Sequence, residues 1–362
     1  MISKLREEIE EKLKKKNIFL VTDKGVIKAG LLDKVLFQIN VNHIFDEVEE
    51  NPKHETINRA GEIVRRIKPE LIIGLGGGSA MDAAKAIALL ATNPGRVEDY
   101  EGREKYSSPP LPVLAIPTTC GTGSEVTWVS VITHTGRKFK MSIKGPELFP
   151  LVAVVDPDLL LTLPQKLIAS TGLDALTHSI EAFTVRQATP FTDIFAREAF
   201  SLIITSIEDA WKDIRKNSEA RSKIMLGSTL AGIAFCASDV GSVHCLSEAL
   251  GSLYDIPHGV ANSLFLPFVM EFNLPFAKSR YAQLGWLAGI KAQDEEESSK
   301  VLIQRIKDLS QNLGIPTLRE LGIKRECFLE IAKKAFENNS NSSNPREADI
   351  EDYVKILERA LN

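Results

Sequence analysis

In the stretch Gly172-Leu173-Asp174-Ala175-Leu176-Thr177-His178-Ser179-Ile180-Glu181-Ala182-Phe183, a carboxylate and an imidazole stand four residues apart. Leu173, Leu176, Ile180 and Phe183 recur at helical spacing, so Asp174 and His178 project from one helix face, a turn apart. Such a pair can grip a divalent cation from a rigid element, but it can equally be a solvated or capping pair. What stands elsewhere tips the balance. The chain has six histidines. One, His244, lies on an apolar helical stretch, and another, His258, follows Pro257 on a turn fourteen residues later. A lone histidine on an apolar face is more often a satisfied core residue. Asp174, His178, His244 and His258 together would form a donor set for a borderline divalent metal such as Fe²⁺ or Zn²⁺. Coordination positions would be left open for a substrate oxygen.

A second concentration of chemistry lies upstream. Leu71-Ile72-Ile73-Gly74-Leu75 reads as a buried strand running into Gly76-Gly77-Gly78-Ser79, and Ala80–Ala91 reads as a helix. Glycines between a strand and a helix let the backbone approach a ligand with its N–H groups exposed, and the helix N-terminus offers partial positive charge to a phosphate. Ser79, with Asp82 three residues on, has the form of a capping box. The alternative is a tight turn without a ligand. The usual dinucleotide fingerprint follows the first strand, with an acid about 20 residues later. Here the glycines follow a later strand and the plausible ribose-binding acid, Asp23, lies before them. A dinucleotide would need a different topology here. After Val113–Pro117, a further strand, Thr118-Thr119-Cys120-Gly121-Thr122-Gly123-Ser124 is a small, hydroxyl-rich loop of the kind that touches polar ligands.

The elements that must position these residues change character midway. Up to Asp156 the chain alternates short apolar runs with helical ones: Asn17–Asp23 and His43–Phe45 as strands, Val26–Phe37 and Pro52–Ile67 as helices. Strands are also expected at 128–133, 138–143 and 151–155. This order implies a mostly parallel α/β sheet. From Pro164 onward the stretches are helical: 190–211, 219–235, 240–253, 260–272 and 292–313. The expected boundary is 156–163, and the polar run Asn338–Pro345 reads as a solvated loop.

Composition removes several function classes. The 362 residues are 44% hydrophobic and 25% charged with net charge -4, which suits a folded protein and lacks the basic footprint of a nucleic-acid binder. The charged segment Met1–Lys16 reads as an amphipathic helix rather than a signal or anchor, and no transmembrane span is expected. Cys120, Cys236, Cys245 and Cys327 are scattered, which fits reduced thiols in a cytoplasmic protein.

Taken together these residues resemble the iron-containing (group III) alcohol dehydrogenases, of the lactaldehyde reductase and 1,3-propanediol dehydrogenase type. The resemblance spans nearly the whole chain. It rests on Gly76-Gly77-Gly78-Ser79 with Asp82 and Lys85, Pro117-Thr118-Thr119 with Gly121-Thr122, Gly172–Ala182, His244, Pro257–Asn262 and Asn344-Pro345-Arg346-Glu347. It implies an α/β NAD-binding domain at 1–160 followed by an all-helical metal-binding domain at 161–362, a dehydroquinate synthase-like architecture. The implied activity is hydride transfer between NAD(H) and a small primary alcohol or aldehyde. The alternatives are a dehydroquinate-synthase-like lyase and a catalytically silent NAD-binding protein.

Carried onto this chain, the metal ligands are Asp174, His178, His244 and His258, with Fe²⁺ ahead of Zn²⁺. The cofactor would meet Gly77, Gly78, Ser79 and Asp82 at its pyrophosphate and Thr118, Thr119 and Thr122 further along, with Asn51 and Lys138 nearby. Asp23 matches the acid beside the adenine ribose, which favours NAD over NADP. Many members have a histidine four residues after the third ligand as a proton relay; this chain has Glu248 there. Trp128, Phe235 and Tyr254 are candidates for the substrate pocket. A homodimer is the expected assembly, with no nucleic-acid or membrane partner.

Overall fold

Runs of Ile, Leu and Val too short for helices become strands in the first half of the chain, and long apolar helical stretches fill the second. The computed structural model describes residues 1–362, which form two compact units, Met1–Leu163 and Pro164–Asn362.

The first unit has eight strands: β1 (Ile18–Val21), β2 (His43–Phe45), β3 (Leu71–Gly76), β4 (Gly102–Arg103), β5 (Val113–Pro117), β6 (Val129–His134), β7 (Phe139–Lys144) and β8 (Val152–Ala153). Its helices are α1 (Lys24–Lys28), α2 (Leu31–Leu36), α3 (His54–Ile67) and α4 (Gly78–Thr92). A five-stranded sheet runs in the order β2-β1-β3-β5-β8 with every neighbouring pair parallel. Alternate residues of its strands enter two different cores. Phe19, Val21 and Ile72 pack with Ile57, Val64 and Ile87 of α3 and α4. Ile18, Leu20, Leu71 and Ile73 pack with Val26, Leu31 and the N-terminal Leu5 and Ile9. A parallel sheet covered on both faces explains why β3 is apolar throughout and buried at all six positions. β4, β6 and β7 form a small second sheet.

Two expectations need correction here. The helix expected over 26–37 is two helices, because Gly30 takes a left-handed backbone (φ +71°) between α1 and α2. The strand expected at 151–155 shrinks to the two residues of β8.

The second unit has no strand. Its helices are α5 (Gln165–Thr184), α6 (Pro190–Ile204), α7 (Ile207–Asp213), α8 (Ser218–Ala237), α9 (Ser242–Tyr254), α10 (His258–Leu287), α11 (Glu295–Asn312), α12 (Phe328–Phe336) and α13 (Ile350–Arg359). At the centre α5 is buried on all sides between α6, α8 and α10. α10 runs fifteen residues past the end expected at Phe272, through Pro267 and Pro275. It is long and apolar enough to cross a membrane, but 72% of that apolar window is buried within the fold. The polar run at 338–345 is also corrected. It folds into a short 3-10 turn, Asn339–Ser343, and Ser343 and Asn344 are each 1% exposed.

Candidate active site

Three helices of the second unit deliver the four expected ligands. α5 carries Asp174 and His178 on one face, α9 carries His244 in its first turn, and α10 begins at His258. One donor atom from each of the four lies within 4.8 Å of the others. The close approach of α10 to α5 depends on Gly259: a Cβ there would lie 2.7 Å from the Ser170 carbonyl oxygen and 3.5 Å from Asp174 Cβ. Phe235 of α8 stacks on His178 with ring centroids 4.4 Å apart. Of the other pocket candidates, Tyr254 at the end of α9 hydrogen-bonds Cys327, and Trp128 of the first unit lies under the Arg103 guanidinium.

The donor chemistry fits a cation. His244 Nε2 and His178 Nε2 face each other at 3.0 Å. The amide nitrogen of fully buried Asn262 lies 2.7 Å from Asp174 Oδ1 and 3.1 Å from both His244 Nε2 and His258 Nε2. Donor atoms from four side chains thus converge on one small region, where an amide N–H supplies partial positive charge. The buried Oδ1 of the same Asn262 has no partner among protein atoms. Two further side chains complete the surroundings. Glu181, 4% exposed, accepts the His244 Nδ1 proton with Oε2 at 2.5 Å. Burial alone would lower the pKa of His244, but the charge and hydrogen bond of Glu181 raise it, with Asp174 and Glu248 adding. Glu248 is half-buried one turn along α9 from His244, and its Oε2 accepts from Asn338 Nδ2 at 2.7 Å.

In the first unit the carboxyl ends of β1, β3 and β5 come together, since Val21 pairs with Gly74 and Gly76 with Pro117. Thr118 N donates to Gly76 O at 2.9 Å. Cβ atoms at Gly77 and Gly78 would lie 3.2 Å from Thr119 and 2.6 Å from Thr122, and one at Gly76 would lie 3.2 Å from Asp23 Oδ2. Asp23, the glycine turn, Thr118, Thr119 and Thr122 therefore share one edge of the sheet. Asp23 also caps α1, its Oδ1 accepting from Val26 N at 2.9 Å.

Ser79 and Asp82 do not form the expected capping box. α4 starts at Gly78 after Gly77 with no side-chain cap. Asp82 instead accepts from Ser124 Oγ at 2.6 Å and Val131 N at 3.0 Å. Lys85, fully buried, donates to Ser124 Oγ, Thr127 Oγ1 and Val129 O at 2.8, 3.1 and 2.9 Å. Burial raises the Asp82 pKa while the Lys85 charge opposes it. This pair anchors the segment after the threonine loop. Asn51, buried and left-handed (φ +52°), accepts from Lys140 Nζ at 2.9 Å, whereas the expected Lys138 is on the exposed β6–β7 turn.

Residues 1–157 match the family profile described as iron-containing alcohol dehydrogenase, and residues 168–361 match that of the Fe-containing alcohol dehydrogenase family, C-terminal. The chain belongs to the iron-containing alcohol dehydrogenase family. Among its relatives are alcohol dehydrogenase 4 of Saccharomyces cerevisiae, 39% identical over 95% of this chain and 91% of that protein, and the NAD-dependent methanol dehydrogenase of Bacillus methanolicus, 36% identical over 96% and 92%. Its fold superposes on a crystal structure of 1,3-propanediol oxidoreductase with a TM-score of 0.94 at 38% identity, covering 99% of this chain and 95% of that one. The family assignment makes the chain an NAD(P)-dependent, iron-containing oxidoreductase acting on the CH–OH group of small alcohols, rather than a lyase.

Proposed function

We propose that Asp174, His178, His244 and His258 hold Fe²⁺, with Zn²⁺ as an alternative occupant, and that the first unit binds NAD in preference to NADP. On this reading residues 1–160 are the NAD-binding domain and 161–362 the metal-binding domain of a dehydrogenase for small primary alcohols and aldehydes. The protein works in the cytoplasm as a homodimer, without nucleic-acid or membrane partners. The observation that carries the reading is the convergence of the four donor atoms within 4.8 Å.

The bound metal supplies Lewis acidity to the substrate oxygen and NAD supplies the hydride acceptor. The chain's own residues do the rest. The first turn of α4, reached through Gly77 and Gly78, offers backbone N–H groups to the pyrophosphate beside Ser79. Thr118, Thr119 and Thr122 offer hydroxyls and backbone along the same edge. Asp82 acts by holding the segment from Ser124 to Val131 behind that loop. Asn51, held by Lys140, forms the polar group at the start of α3, with Lys138 on the β6–β7 turn. Phe235 gives an apolar wall beside His178, and Glu248 relays the alcohol proton.

Asp23 sets the cofactor preference: a carboxylate accepts from a ribose 2′-hydroxyl and repels a 2′-phosphate. The test compares NADH with NADPH in aldehyde reduction by wild type and D23S, since serine can keep the α1 cap without the charge. Wild type should favour NADH, and D23S should raise kcat/KM for NADPH relative to NADH by about tenfold, ~1.4 kcal/mol. A wild-type preference for NADPH would overturn the assignment.

A further inference from the structure

The carboxylate of Glu181 has a duty that helix capping does not explain. Both of its oxygens point at the start of α9: Oε1 accepts from Val243 N at 2.8 Å, and Oε2 accepts from His244 Nδ1 at 2.5 Å. Gly241 gives them room, because a Cβ there would lie 3.1 Å from Glu181 Oε1 and 2.9 Å from Asn344 Oδ1. The same helix start shows that a neutral amide suffices as a cap: Asn344 Oδ1 accepts from Ser242 N at 3.2 Å, its own amide held by Asn273. Burying a carboxylate is costlier than burying an amide.

What the carboxylate adds is that it can only accept. His244 must then carry its proton on Nδ1 and present a bare Nε2 to the region where His178 Nε2 and the Asn262 amide meet it at 3.0 and 3.1 Å. A glutamine accepting from Val243 N would turn its NH₂ toward His244 Nδ1. The ring would have to accept there and place its proton on Nε2, among the metal donors. On the ligand set proposed above, we infer that Glu181 is a positioning residue of the metal centre: it sets the His244 tautomer and ties that ring to the first turn of α9.

The test uses the full-length, metal-free protein with Co²⁺ as the probe. Affinity is read by competition with a chromophoric chelator, coordination by the visible Co²⁺ bands, and the His244 tautomer by imidazole ¹⁵N NMR at mildly alkaline pH. E181Q should bind Co²⁺ on the order of 10–100-fold more weakly, with altered bands and the His244 proton moved to Nε2, and melt close to wild type. Wild-type affinity and bands in E181Q would overturn the inference while leaving the ligand set intact. Absence of Co²⁺ binding by wild type would sink the ligand set and this inference with it. If E181Q does not fold, the wild-type spectrum decides: Nδ1–H on His244 supports the role, and Nε2–H overturns it.

Discussion

Glu248 separates a residue that holds the site from one that moves a proton through it. It follows His244 by one turn on α9, and its Oε2 is hydrogen-bonded to Asn338. If it relays the alcohol proton, E248Q should slow alcohol oxidation by on the order of a hundredfold, the lower end of general acid–base contributions. Its pH–rate profile should change shape while Co²⁺ affinity stays at the wild-type level. An unchanged rate and profile would remove Glu248 from the reaction. Residue type and spacing singled out the four candidate ligands, and their donor atoms lie within 4.8 Å of one another. Glu181 was legible in principle, three residues past His178 and seven past Asp174, but an acid on a helix usually faces water. Asn344 was hidden for the opposite reason. Its run of polar neighbours suggests solvent, yet its partners Ser242 and Asn273 are 102 and 71 residues away. Lys140, which donates to Asn51, was not singled out, because a lysine at a strand start reads as a solvated charge.

At the scale of elements, the site depends on how closely α10 lies on α5. Gly259 → Ala would push a methyl against the Ser170 carbonyl, a backbone atom that cannot rotate away. Overpacking of this kind costs about 1–3 kcal/mol. G259A should therefore lower the melting temperature and weaken Co²⁺ binding together, because His258 is the preceding residue. Retention of both would mean that the helix contact adjusts without moving the ligand. Strands and helices of the first unit were predictable because parallel strands are uniformly apolar and glycine turns interrupt them. The length of α10 was not. An internal proline costs about 3 kcal/mol in a helix interior, so Pro275 argued locally against a helix running on past Phe272. Tertiary burial of Phe265, Phe268, Tyr281 and Leu284 lets the helix continue through Pro267 and Pro275.

The whole chain divides its chemistry between two kinds of architecture. The parallel sheet of Met1–Leu163 brings glycines, threonines and Asp23 to the carboxyl edge of its central strands, the usual place for a ligand in open α/β sheets. The helical unit Pro164–Asn362 instead gathers an Asp-His-His-His set among packed helices, with Asp174, His178 and His244 buried and His258 partly exposed. The shift from short apolar runs to long helical ones made this division visible in the sequence, as did the order of the motifs. The most direct test of the account is reduction of a short aldehyde by NADH, measured with Fe²⁺-loaded protein, after chelation, and after Fe²⁺ is restored. Turnover should be lost on chelation and return with the metal, and a chain carrying H258A should not recover. Turnover that persists through complete metal removal would contradict it.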